Sequence, residues 1–307
     1  MPELVVISGK GGTGKTSLLA SFAALARPVV LADCDVDAPD LHVLFDPKVV
    51  ERSTFIGGQK ATIKPGHCVA CGKCEELCRF EAVYFDGPGN GRIPKTYRID
   101  PVACEGCGVC ARFCAEQAIE FAPAEAGQWF VSETRCGSMV HARLKAAAGN
   151  SGKLVHELRR RAKDLAGRNG QLILSDGSPG LGCPVIASLT GADVALIVAE
   201  PTRSSLHDLE RVFHLCRHFG VESVLCINKW DLNESLTQQI EARASESRLP
   251  VVGRVRYDPN VSQAQVHRQT VVEHDPKAGI AADIRDLWEC LWPRLTPTRL
   301  SNHRVSS

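Results

Sequence analysis

No stretch of this 307-residue chain stays apolar for the roughly 18 residues that a bilayer-spanning helix needs. The opening MPELVVISGK reads as a buried strand rather than a secretory leader. A surplus of either charge is also missing. Thirty-six Lys and Arg stand against 35 Asp and Glu, a net charge of +1, so a broad nucleic-acid or anionic-membrane footprint is not expected. These absences predict a cytoplasmic protein with no nucleic-acid partner and no stable membrane anchor. At 44% apolar and 23% charged the composition is that of an ordinary globular protein, and the length allows one large domain or two. Cysteine is abundant. Of the 14, eight fall in two compact arrays, which in a large leaderless chain read as metal or cluster ligands rather than disulfides.

Apolar runs at ELVVIS, PVVLADCD, QLILSDGSPG, ADVALIVAEPT, VESVLCINKWD and LPVVGRVRYD alternate with helical stretches such as SSLHDLERVFHLCRHF. Runs without polar alternation imply strands covered on both faces, so the expected fold is α/β, a doubly wound, mostly parallel sheet. A closing helix carries Ile284, Leu287, Trp288 and Leu291 on one stripe, suited to packing on the sheet rather than lying on lipid. The pattern breaks over 58–125, where glycine, proline and cysteine are frequent and no helix is long enough for a crossover. The expected organisation is a discontinuous domain of residues 1–57 and 126–295, an inserted α+β module at 58–125, and a frayed tail at 296–307.

The stretch GKGGTGKT (Gly9, Lys10, Gly11, Gly12, Thr13, Gly14, Lys15, Thr16), followed by Ser17, fits the phosphate-loop pattern and lies between an expected strand and an expected helix. Glycines let backbone amides wrap a phosphate, and a helix N-terminus adds partial positive charge. Lys15 can neutralise the β and γ oxygens, and Thr16 can ligate Mg2+.

With a second lysine early in the loop, the chain resembles the MinD and nitrogenase-iron-protein group of P-loop ATPases. That resemblance implies a nucleotide-sandwich homodimer, or a heterodimer with a paralogue, in which Lys10 reaches the partner's ATP. ADCDVDAPD is similar to the family's first switch, which makes Asp35 the carboxylate that orients the attacking water and places Asp33 near the magnesium. SDGSPGLG resembles the second switch, which implies that Asp176 holds magnesium through water and that Gly180 offers its amide to the γ-phosphate; Gly177 and Ser178 depart from the usual residues. In INKWD, Asn228 stands where the family contacts the base. Asp231 could read guanine or cap the following helix, so the residues alone leave ATP and GTP open.

Cys68, Cys71, Cys74 and Cys78, then Cys104, Cys107, Cys110 and Cys114, repeat the bacterial ferredoxin run, with Cys104 following Cys68 by 36 positions. At the same offset Ala82, Val83 and Phe85 match Ala118, Ile119 and Phe121, so the module reads as a duplication with a pseudo-twofold axis. In such ferredoxins the fourth cysteine serves the other cluster. Cys68, Cys71, Cys74 and Cys114 are then expected to hold one [4Fe-4S] cluster, and Cys104, Cys107, Cys110 and Cys78 the second. Zinc in two four-cysteine sites is the alternative. Arg79 and Ala115 replace the proline that usually follows the fourth cysteine.

Loop, switches and insert together resemble the MinD-superfamily ATPases that contain an inserted ferredoxin domain. By further similarity to the nitrogenase iron protein, Cys136, expected at the start of a helix, and Cys183 are candidates for a third cluster shared across a dimer. Cys216, Cys226 and Cys290 read as buried small hydrophobes. Three functions fit: ATP-gated electron transfer to a protein redox partner, maturation of an iron-sulfur or other metallocofactor with an assembly partner, and positioning or regulation of the MinD sort with structural or sensing clusters.

Overall fold

Leu4, Val5, Val6 and Ile7 are fully buried, which a strand achieves only when both faces of its sheet are covered. They sit in an interior strand of the computed structural model, which describes residues 1–145 and 149–296. The expected tail lies, beyond Thr296, outside the described residues. In chain order the elements are β1 (Glu3–Ser8), α1 (Lys15–Ala26), β2 (Val29–Asp33), α2 (Leu41–Phe45), β3 (Lys48–Ile63), α3 (Lys73–Glu76), β4 (Val83–Gly87) and β5 (Thr96–Ile99). Next come α4 (Val109–Arg112), β6 (Ile119–Thr134), β7 (Gly137–Leu144), α5 (Ser151–Asn169), β8 (Ile173–Pro179), α6 (Cys183–Leu189) and β9 (Val194–Ala199). The chain continues with α7 (Arg203–His218), β10 (Glu222–Asn228), α8 (Glu234–Glu246), β11 (Val251–Val255), α9 (Asn260–Val266), α10 (Val271–His274) and α11 (Gly279–Leu295).

The main sheet runs β11-β10-β9-β1-β8-β2-β7-β6-β3, and every pairing from β11 to β7 is parallel. Leu4 and Val6 face a core that includes Phe22 of α1 and Ile284, Leu287 and Leu291 of α11. Val5 and Ile7 face Val185, Leu189, Val212 and Ile240 from α6, α7 and α8. The stripe expected on the closing helix does pack on the sheet, with Trp288 stacked on Phe22 at 5.2 Å. The chain turns one way from β1 to β2 and the other way from β8 to β9, so a crevice opens at the carboxyl end of β1.

Three strands of the main sheet have no counterpart among the expected apolar runs: β3, β6 and β7. In β3 the exposed and half-buried positions outnumber the buried ones, and its polar side chains and paired glycines hide it from a search for apolar runs. β7 pairs in parallel with β2, Val29 opposite Gly137, and reaches its place through a hairpin from β6.

The chain divides into two compact units. One takes Met1–Arg52, Trp129–Ala142 and the chain from Gly152 onward; the other takes Ser53–Gln128 and Arg143–Ser151. The second unit contains the antiparallel β4–β5 pair and a small core of Ala61, Ile63, Ala82, Val83, Ile99 and Cys104, against which Cys68, Cys74, Cys78 and Cys110 pack.

Candidate functional site: a phosphate loop and two cysteine quartets

At the carboxyl end of β1 the loop turns into α1 through Gly12 and Gly14, whose φ of 78° and 88° suit glycine. A Cβ on Gly14 would lie 2.4 Å from Nδ2 of Asn228, which would have to give way, and would be strained at this φ in any case. Lys15 opens α1 and is buried, and Thr16 Oγ1 donates to Oδ2 of Asp176 at 2.6 Å. Asp176 on β8 and Asp33 on β2 are register partners, which brings two buried carboxylates side by side below the loop. A cavity of about 540 Å³ opens over these groups, lined by Gly12, Lys15, Thr16 and Asp35 at one end and Arg256 and Tyr257 at the other.

Among the described residues, five buried side-chain polar atoms have no hydrogen-bond partner, and four belong here: Oγ1 of Thr13, both carboxylate oxygens of Asp33, and Oδ1 of Asp176. Orphans of this kind are rare in folded proteins and call for a bound polar group or ion. Burial, then the charges of Asp176 and Asp35, push the Asp33 carboxyl well above its ordinary range. Burial also pushes Asp35 up to about 6, against the pull of Lys15. A cation between these carboxylates is what the charge crowding lacks.

Other expected site residues have partners within the chain. Nδ2 of Asn228 donates to Thr13 O at 2.8 Å and so braces the loop. The Gly180 amide donates to Ser8 O at 2.9 Å, a bond that must open before the amide can meet a phosphate. Gly177 is explained by crowding, since a Cβ would lie 2.7 Å from Cγ2 of Ile7, and Ser178 ties its hydroxyl to Cys34 O at 2.8 Å. Asp231 does not cap α8: Asn233 does, accepting from Leu236 N, while Asp231 accepts from Tyr257 N at 2.7 Å.

Two neighbours of the loop escaped the sequence reading. Glu200, at the end of β9, pairs with Lys10 at 2.5 Å, and Lys229 donates to Gly12 O at 3.0 Å. The one signal for Glu200 was an acidic residue at the carboxyl end of a strand.

In the second unit the eight cysteines sort into two quartets. Cys68, Cys71, Cys74 and Cys114 line one cavity, together with Tyr97 and Ile119. Cys78, Cys104, Cys107 and Cys110 line another, with Val83 and Ile99. The halves match in detail. Ala82 N points at Sγ of Cys78 at 3.4 Å, and Ala118 N at Sγ of Cys114 at 3.3 Å. Asp100 N donates to Ala82 O and Lys64 N to Ala118 O, each at 2.7 Å. Positive φ recurs at Ala70 and Gly106, at Gly72 and Gly108, and at Glu81 and Gln117. Burial pushes the Cys74 thiol up to about 11, and that of Cys110 upward. Among the described residues no three His, Cys, Asp or Glu side chains converge as a site for a single metal ion.

Cys136 and Cys183 are not brought together. Cys136 is buried in the turn before β7, with its carbonyl bonded to Val29 N at the amino end of β2, and it begins no helix. Cys183 is exposed and starts α6, beyond the carboxyl end of β8, at the other end of the parallel sheet. A shared cluster on this pair is incompatible with the fold. Cys290 is also corrected: Cys216 and Cys226 are buried as expected, but Cys290 faces outward from α11. No helix among the described residues is long and apolar enough to cross a membrane.

Among curated proteins, the chain is 35% identical over 235 residues to "uncharacterized protein MJ0578" of Methanocaldococcus jannaschii, covering 75% of this chain and 79% of that one. It is 22% identical over 290 residues to "uncharacterized ATP-binding protein MJ0547" of the same organism, covering 92% and 85%. Its fold is similar to the septum site-determining protein MinD of Pyrococcus horikoshii, solved with Mg-ADP, with TM-score 0.56, 16% identity and 94% of each chain covered. The model of the CobQ/CobB/MinD/ParA nucleotide binding domain matches residues 4–271. A match of that extent, on a phosphate loop closed by buried carboxylates, shows that the chain belongs to the MinD/ParA family of P-loop nucleotide-binding proteins and is an ATPase.

Proposed function

We propose that the protein is a dimeric, magnesium-dependent ATPase in which ATP binding gates electron transfer through two [4Fe-4S] clusters. The observation that carries this reading is the sorting of eight cysteines into two quartets, three thiols from one array and the fourth from the other, around separate cavities. The donors fit: thiols suit iron, the walls are largely apolar, and a backbone amide points at one sulfur in each quartet. A lone zinc ion fits less well, because four thiolates on bonds of about 2.3 Å crowd together more closely than these side chains do. When bound, the clusters supply one-electron carriers.

In the ATPase half, loop amides and Lys15 hold the β and γ phosphates, and Thr16, Asp176 and Asp33 hold a magnesium ion that neutralises phosphate charge. The orphaned carboxylate oxygens support that assignment. Asp35 orients the attacking water for in-line displacement, and Lys10 adds positive charge to the partner's nucleotide.

Anaerobic purification followed by iron and sulfide analysis tests the reading, with about eight of each per chain expected from two four-iron groups. The reduced protein is then expected to pass electrons to an acceptor faster with ATP than with ADP or no nucleotide. Equal rates in all three conditions defeat the gating. A second reading, a positioning ATPase with structural or sensing clusters, is favoured by the likeness to MinD of Pyrococcus horikoshii. ATP-dependent sedimentation with lipid vesicles, at an electron-transfer rate that ignores nucleotide, selects it.

A further inference from the structure

Glu200 has no part in the chemistry just described, yet it holds the first half of the phosphate loop. Its Oε1 lies 2.5 Å from Nζ of Lys10 and its Oε2 3.2 Å from Nζ of Lys229. Lys229 also donates to Gly12 O at 3.0 Å. Its backbone takes a left-handed φ of 56°, which a non-glycine residue keeps only when its surroundings demand it. From the other side, the Lys10 carbonyl accepts from Ser8 Oγ at 2.6 Å, and Gly9 is pressed so close to Asp208 that a Cβ there would come within 2.4 Å. The carboxylate is well shielded, its side chain 15% exposed, so its attraction to the lysines is only partly screened. Although burial alone would raise it, the two lysines hold the Glu200 carboxyl below the usual range.

We propose that Glu200 is a positioning residue that keeps Lys10 on its own subunit, so that Lys10 must leave Glu200 before it can reach the partner's nucleotide. The proposal rests on the reading of Lys10 given above. Geometry sets the competition. An ammonium held at 2.5 Å by a shielded carboxylate on its own subunit gives up that contact when it extends towards a triphosphate in another protomer. Lys229 helps by fixing the second oxygen, which keeps the first aimed at Lys10. The ion pair therefore opposes closure of the dimer and raises the protein concentration at which ATP turnover begins.

The test is the dependence of ATPase rate on protein concentration. Glu200→Gln keeps the shape and removes the charge. It is expected to lower the concentration for half-maximal activity about tenfold, the change expected on losing one charge-assisted contact. The rate at saturating protein is expected to stay within about twofold. Glu200→Asp, which draws the charge back from Lys10, shifts the concentration the same way by a smaller factor. A brace with no bearing on Lys10 would instead lower the melting temperature or ATP affinity and leave the half-maximal concentration unmoved or raised; that result overturns the proposal. Lys10→Ala separates the two readings. If it hydrolyses ATP as the parent does, the role of Lys10 fails; if it is inactive while Glu200→Gln shows no shift, only the role of Glu200 fails.

Discussion

At Asp35, burial and the charges around the site act on one carboxyl, and its altered acidity carries a prediction. Burial lifts it from the ordinary 3.8 to about 6, with Lys15 pulling the other way. Between those values the folded chain keeps a proton that the unfolded chain has released, so stability falls as pH rises from about 4 to 6 and stays lower above. Asp35→Asn is therefore expected to melt higher than the parent at pH 7 in the absence of nucleotide and magnesium, with the difference fading towards pH 4. In the same variant, nucleotide binding should persist while kcat falls about a hundredfold or more, the usual scale for losing a group that orients a reacting proton. Lys15→Ala, by contrast, should lose nucleotide binding itself, as equilibrium titration would read. The loop lysine and threonine were legible because their roles follow from a contiguous motif between a strand and a helix. Glu200 and Lys229 were not, because they meet Lys10 and Gly12 only where β9 lies beside β1 and β10 lies beyond it.

At the scale of elements, β1 is anchored at its start by a buried ion pair. Glu3 accepts from Arg159 of α5 at 2.7 and 2.6 Å and from Ser175 of β8 at 2.8 Å, and Arg159 donates onward to the carbonyls of Ala187 and Thr190. One guanidinium thereby ties α5 to β1 and α6. Arg159→Ala leaves Glu3 buried without its main counter-charge and should cost about 3–5 kcal/mol in urea unfolding, the range seen when one member of a buried pair is removed. A loss below 1 kcal/mol would show that Lys163, 3.4 Å from Glu3, suffices as partner. Six strands were legible because they read as apolar runs; β1, β2, β8, β9 and β10 are buried on both faces, while β11 at the sheet edge is mostly exposed or half-buried and was read from its run alone. β3, β6 and β7 were not, since strands with polar exposed faces resemble loops in sequence. The helix expected at Cys136 is a hairpin turn because the strands on either side pair with each other, which local spacing does not reveal.

At the scale of the whole molecule, the two compact units have cores of very different size. The cysteine-bearing unit rests on a small apolar cluster, and a core that small commonly depends on a bound metal group. Iron removal by a chelator under anaerobic conditions is therefore expected to raise amide exchange within 53–128 while ATP affinity of the other unit stays within about threefold, as for separately cooperative regions. Loss of ATP binding together with iron would show instead that the units unfold as one. The amino-acid sequence by itself determined the phosphate loop, the central parallel strands and the ferredoxin spacing of the thiols, because each depends on residues a few positions apart or on burial of both faces. Only the tertiary structure decided that Lys10 lies against Glu200, that Asp33 and Asp176 meet as buried neighbours, and that Cys136 and Cys183 stand at opposite ends of the sheet. Those relations depend on which strands become neighbours, and strand order is set by packing of the whole chain rather than by any local run of residues.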